Sequence, residues 1–290
     1  MLCALGLADQ LVAVSHECDF PLEVRAKPRV TRSRIDPQRM SSRAIDETVR
    51  AAIAKQESLY DLDAEMLARL APDLIVTQQL CDVCAVDASL VAKALHAVPS
   101  HPRTVSLHPH TLEEMLGDIE RLGAATGRQA EAEQLIRRSR ERMAEVGRRV
   151  AKVAHRPRVI CMEWFDPPMT SGHWVPEMVE RAGGTDVLGK AGKPSYYVTG
   201  EQIAAAKPEI LILMPCGFSI ERAKTERSQL TAQPWWNHLP AVRAGRVFFV
   251  DGPAYFNGAG PRLIDGIELL AGLFHPSLFD SPSPVRAAAL

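Results

Sequence analysis

The sequence has no apolar run long enough to cross a bilayer and only six cysteines in 290 residues. The first absence excludes a membrane-spanning segment, and the second excludes a fold built on disulfides. Charge of one sign is not concentrated anywhere. The 34 basic residues nearly balance the 35 acidic ones, for a formal net charge of -1. The most basic stretch, 137–149, is interrupted by Glu141 and Glu145. Phosphate backbones need a clustered positive footprint, so nucleic acid is excluded as a partner. The chain also lacks GxSxG, GxxxxGKS/T, HExxH and a GxGxxG after a strand, the usual carriers of hydrolase, nucleotide, zincin and dinucleotide chemistry. No catalytic residue is assigned, and the expectation is a protein that is not an enzyme.

What is present describes a globular chain: 46% hydrophobic and 24% charged residues, over a length that suits two domains with a core each. Residues 1–7 are apolar, but no basic residue precedes them and Asp9 and Gln10 follow at once, so they do not read as a secretion signal. As written, the chain is expected to be cytoplasmic and monomeric; a true start further upstream would make it periplasmic.

One pattern is stated twice. Residues 62–77, LDAEMLARLAPDLIVT, return as residues 198–213, VTGEQIAAAKPEILIL. Each copy places a Glu (Glu65, Glu201) in the first turn of a short amphipathic helix, then a Pro, an acid and a continuous apolar run. That order predicts a helix, a Pro-enforced stop and a buried parallel strand. Its recurrence so far apart predicts two similar α/β lobes facing across a cleft.

The rest of the chain fits this plan. Strands are predicted at 11–15, 74–77, 104–107, 159–162 and 246–250, alternating with helices at 45–54, 63–70, 87–95, 175–181 and 261–274, which implies mostly parallel sheets. Between His110 and His155 no strand signal appears. Thr111 caps one helix there, and a second, from about 129 to 153, is on the order of 35 Å long. Its apolar positions are too sparse for a coiled-coil seam, so it is expected to be a rigid strut. The fold class is therefore two Rossmann-like lobes, 1–108 and 155–290, joined through helices at 109–154.

In parallel sheets ligands bind beyond the carboxyl ends of the strands. The loops expected there carry His16, Glu17, Cys18, Asp19, Gln79, Cys81, Cys84, Glu163, Trp164, Phe165, Cys216, Tyr255 and Phe256. Aromatics with a few polar groups describe an apolar small-molecule pocket, although each ring also suits the edge of a core. Cys81-x-x-Cys84 admits three readings: metal binding, thiol–disulfide exchange, or two small packed residues. His16, Cys18 and Cys216 are candidates to complete a metal set, which supports an alternative reading as an intracellular thiolate-rich metalloprotein or redox enzyme. Cys3 and Cys161 lie in apolar runs and read as core. His173, just before a helix, is a further candidate ligand contact.

Several stretches together carry a resemblance: VSHECDFP at 14–21, the repeated unit, PPMTSG at 167–172, the Gly183-Gly184 pair and Gly260-Pro261-Arg262. In order and spacing they resemble the helical-backbone substrate-binding proteins of ABC importers for cobalamin and iron–siderophore complexes, the cobalamin branch above all. The resemblance implies non-catalytic binding of cobalamin, or a related metal chelate, between the lobes. Trp164, Phe165 and Tyr196 would contact the ligand from the second lobe, and Glu17 and 79–81 from the first. Glu65 and Glu201 would dock on permease arginines; taken singly, each is explained by the helix dipole. Against the resemblance three departures are expected: the family's first strand would precede Met1, so that either the start is misassigned or the first lobe lacks a strand; residues 1–10 do not read as an export signal; and Ala254 and Gly258 stand where charged residues are expected.

Overall fold

The structure, a computed structural model, describes residues 1–78 and 98–290. The predicted helix at 87–95 and the candidate residues Gln79, Cys81 and Cys84 lie outside the described residues. The chain divides into two compact units. The first comprises Met1–Asp36, Glu47–Pro109 and Leu116–Ile136; the second comprises Pro37–Asp46, His110–Met115 and Arg137–Leu290.

In the first unit, β1 (Thr31–Ser33) pairs antiparallel with β2 (Tyr60–Leu62). α1 (Ser42–Lys55) begins in the second unit and continues into the first, burying Ile45 and Ala52. α2 (Ala64–Leu70) leads into β3 (Leu74–Gln78), which pairs in parallel with β4 (Arg103–Leu107), Leu74 opposite Arg103 and Gln78 opposite Leu107. Leu67 of α2 and Val98 are buried together, with Val30, Leu62, Ala64 and Ile75 packed around them. The strand expected at 11–15 is reduced to one parallel bridge, Val14 to Arg29. Val14 N donates to the Pro28 carbonyl and Val30 N to the Val14 carbonyl. Pro28 has no N–H to extend that ladder.

α3 (Leu112–Thr126) and α4 (Gln129–Val150) follow, and the boundary between units falls inside both. α4 has 22 residues, about 33 Å at 1.5 Å each. It stops three residues before the predicted end. In the second unit Arg142 of α4 donates to Asp265 and Glu268, and Met143, Val146 and Val150 are buried.

The second unit is built on β5 (Arg158–Phe165), β6 (Pro168–Thr170), β7 (Thr185–Asp186), β8 (Tyr196–Tyr197), β9 (Ile210–Leu213), β10 (Val247–Val250) and β11 (Ala287–Ala289). They form one sheet in the order β11-β10-β9-β5-β6-β8, with β7 on β5. β10, β9, β5 and β7 are parallel; β6, β8 and β11 run antiparallel to their neighbours. The sheet is thus mixed where a mostly parallel one was expected. The added strands have two or three residues, too short to show alternation. All four residues of β9 are fully buried, as a strand covered on both faces requires.

The helices of this unit are α5 (Val175–Arg181), α6 (Gly200–Ala206), α7 (Ile220–Thr225), α8 (Ser228–Thr231), α9 (Pro240–Arg243), α10 (Gly252–Tyr255) and α11 (Leu263–Phe274). α5 packs against α11. Gly183, at φ +85°, turns the chain out of α5, and a Cβ on Gly184 would lie 2.8 Å from Phe274 Cε2. The glycine pair therefore allows both the turn and the close approach.

The repeat holds in detail. Asp63 caps α2 by accepting from Met66 N, and Thr199 caps α6 by accepting from Gln202 N. Each helix has seven residues and ends on a non-glycine left-handed residue, Ala71 at φ 43° and Lys207 at φ 44°. Pro72 or Pro208 follows, then the strand. Each proline carbonyl is bound from a later segment, Pro72 by Ser100 Oγ and Pro208 by Ala241 N.

Candidate functional site

In the second unit the parallel strands β5, β9 and β10 end on the same edge, followed by residues 166–167, 214–218 and 251–257. This edge is held by the Pro37–Asp46 segment, whose place no local sequence pattern predicts. Trp164 Nε1 donates to the Ser42 carbonyl at 3.1 Å. Arg43 makes a two-point fork with Asp166, at 2.9 and 2.6 Å. Tyr197 OH donates to Asp46. Beneath lies a buried pair: Arg222 donates to Glu226 and to the carbonyls of Pro37 and Met40, while Glu226 accepts from Ser42 N and Oγ.

The candidate residues of this unit separate by burial. Trp164 is 8% exposed and packs beside Phe218, with ring centroids 5.2 Å apart. Phe165 and Phe256 are each 1% exposed and packed in the core; Phe165 stands edge-on to Phe249. Apolar rings at strand ends are drawn into the core when a helix or loop covers them. Tyr196 is half-buried, with its hydroxyl on the Leu188 carbonyl and Lys190 over its ring. Glu163 accepts from Ser195 Oγ at 2.6 Å. Cys216 is partly exposed, and its N–H donates to the Glu163 carbonyl. Cys161 is fully buried, and burial pushes its thiol well above the ordinary value, so it is inert packing.

Tyr255, the last residue of α10 in the loop region after β10, is half-buried, with Arg262 and Arg286 over its ring. His173, 9% exposed and at φ +50°, stacks on His110 with centroids 5.5 Å apart. Burial, then the neighbouring His110, lowers the pKa of His173, so it is held neutral.

In the first unit His16 is fixed by Thr31, whose Oγ1 meets both its backbone N and its Nδ1. Its ring lies 5.1 Å from that of Tyr60, and Nε2 is 3.3 Å from Glu17 Oε1. The hydrogen bond from His16 holds the Glu17 carboxyl below its ordinary value. Cys18 Sγ contacts Ser15 Oγ at 3.3 Å, and Arg29 binds the carbonyls of Ser15, His16 and Cys18. Cys3 is half-buried, not core as expected. Among the described residues no group of three or more His, Cys, Asp or Glu is arranged to hold a metal ion, and no helix is long and apolar enough to cross a membrane.

Glu65 and Glu201 are each the second residue of their helices and both are exposed. Contacts with Thr199 and with its own backbone N–H lower the pKa of Glu201.

Sequence reasoning missed Arg43, Ser42, Arg222, Glu226 and Arg286. Arg222 and Glu226 pair four positions apart, but their further partners Pro37, Met40 and Ser42, like those of Arg43 and Arg286, lie far along the chain.

The profile of the family described as periplasmic binding protein matches residues 1–254. The chain belongs to that family. Among curated relatives of this periplasmic binding protein is a vitamin B12-binding protein from Vibrio parahaemolyticus. It is 24% identical over 271 residues, covering 91% of this chain and 81% of the relative. An uncharacterized ABC transporter substrate-binding lipoprotein of Bacillus subtilis, YvrC, is 23% identical, covering 95% and 76%. Among solved structures, a periplasmic heme-binding protein from Pseudomonas aeruginosa superposes with a TM-score of 0.73 at 21% identity, over 98% of this chain and 91% of the other. The periplasmic vitamin B12-binding protein BtuF of Vibrio cholerae gives 0.67 at 21% identity, over 95% and 92%. These likenesses establish the two-lobe α/β fold.

Proposed function

We propose that this chain is the substrate-binding component of an ABC importer, or a cytoplasmic derivative of one, and that it binds cobalamin or a related metal tetrapyrrole without catalysing a reaction. The family match over residues 1–254 carries the reading. The names of its relatives narrow the ligand: both vitamin B12-binding and heme-binding proteins share the fold along nearly the whole chain. The strand-end edge of the second unit, with Tyr196, Cys216 and Tyr255 partly exposed, suits a ligand with a large apolar face and polar substituents. Glu65 and Glu201, matched in the repeat and exposed, suit docking on permease arginines.

Pull-down with the cognate permease, before and after Glu65→Lys and Glu201→Lys together, tests the transport half of the proposal. The reversal should leave the melting temperature nearly unchanged and abolish association. Wild-type association of the double variant would refute docking through this pair.

A further inference from the structure

His110 and His173 meet inside the second unit, with ring centroids 5.5 Å apart and planes 17° from parallel. One nitrogen of each ring, Nδ1 of His110 and Nε2 of His173, is buried without a hydrogen-bond partner. Buried polar atoms are rarely left so, and each exception asks for an explanation.

The backbone at His173 holds a loop. Its N–H donates to the Lys193 carbonyl at 2.6 Å, and its own carbonyl accepts from Gly192 N at 2.9 Å. His173 makes both bonds from φ +50°, in the left-handed region. A Cβ on Gly172 would collide with the backbone of Lys193, Pro194 and Ser195, so the loop lies directly on residues 172 and 173. From there it runs into Ser195, whose Oγ donates to Glu163, and into Tyr196, whose hydroxyl donates to the Leu188 carbonyl.

Neutral imidazoles suit this arrangement and charged ones do not. An imidazolium carries an N–H on both nitrogens. Charging either ring would therefore bury an N–H with nothing to receive it, and would set a cation against the other imidazole. Burial and then His110 disfavour the charged form of His173. The carboxylates of the flanking elements are engaged elsewhere. Glu113 pairs with Arg140, and Glu114 accepts from the N–H groups of His110 and Thr111. On α5, Glu177 accepts from Leu112 N and from Arg181, and Glu180 is exposed. Asp186 accepts from Ser171 Oγ and from the N–H groups of Leu188 and Gly189. The loop itself adds only cations: Lys190 lies over the Tyr196 ring and Lys193 is exposed.

We propose that His110 and His173 form an acid-sensitive latch for the loop at residues 189–195. With both rings neutral the loop is held on Gly172 and His173; protonation of the pair drives the rings apart and frees it. The loop leads into Tyr196, so the latch ties the ligand edge to pH, a consequence that rests on the binding role above.

Amide hydrogen exchange of the full chain tests the latch. The reporters are the N–H groups of residues 173 and 192, the two that bond across it, with the amides of β9 as reference. Relative to that reference, their protection in wild type should fall roughly tenfold between pH 7.5 and 5, because the open form binds a proton that the latched form excludes. His110→Asn and His173→Asn each remove one titrating ring, and Asn suits the positive φ at 173. Both variants should keep their protection across that range. His110→Asn leaves residue 173 unaltered, so it carries the test if His173→Asn does not fold. A fall as large in His110→Asn as in wild type, or no fall in wild type, overturns the latch. Exchange is read on the chain without ligand, so this failure is distinct from a failure of the binding role.

Discussion

Glu226 accepts hydrogen bonds from both the backbone N and the Oγ of Ser42, at 3.1 and 2.9 Å, across 184 positions of sequence. One carboxylate therefore caps the start of α1 and neutralises the buried Arg222. Removing it leaves a cation with 8% side-chain exposure unpaired. Glu226→Ala should cost about 3–5 kcal/mol, and Arg222→Met with Glu226→Leu together should cost much less. Urea denaturation of the three proteins measures both; equal losses would show that the pair is not coupled.

Trp164 is fixed by the same segment through its bond to the Ser42 carbonyl. Trp164→Phe, which keeps a six-membered ring but loses the donor and the pyrrole half of the indole, should destabilise by about 1–2 kcal/mol. Trp164→Ala should lose about 3–5 kcal/mol because it opens a cavity beside Phe218. Thermal melts separate the two, and near-equal effects would mean that the hydrogen bond, not the packing, dominates.

Ala71 and Lys207 end the two repeat helices at φ 43° and 44°, where a Cβ is unfavourable. Ala71→Gly and Lys207→Gly should each stabilise by about 0.5–1 kcal/mol, or at least not destabilise. Chemical denaturation showing a loss of more than 1 kcal/mol at either site would contradict the strain assigned to it.

The repeat shows what was legible in the sequence and why. Cap, helix, proline and apolar run are local features, and each appeared where its residues predicted, in both copies. The tail strand β11 was not legible, because Ala287-Ala288-Ala289 has no alternation and favours helix by propensity. The site was less legible than the fold. Phe165 and Phe256 were named for their type and are packed in the core, whereas Arg43 acquires its role only from Asp166, 123 positions along the chain.

His173 has a lowered pKa from burial and from His110. Its neutral form is the one the fold accommodates. Its contribution to stability is therefore complete above the unfolded value of 6.5 and lost as pH falls toward the lower folded value. His173→Asn tolerates the positive φ and cannot titrate. Melting temperatures between pH 7.5 and 5 should fall less steeply for this variant than for wild type; parallel slopes would remove His173 as a source of acid sensitivity.

The central claim, that this periplasmic binding protein holds a metal tetrapyrrole, is tested most directly by calorimetric titration of the purified chain with cyanocobalamin and with hemin. One of the two should bind saturably at one ligand per chain, with a matching shift in its visible spectrum. No heat and no spectral change with either ligand at millimolar concentration would contradict it.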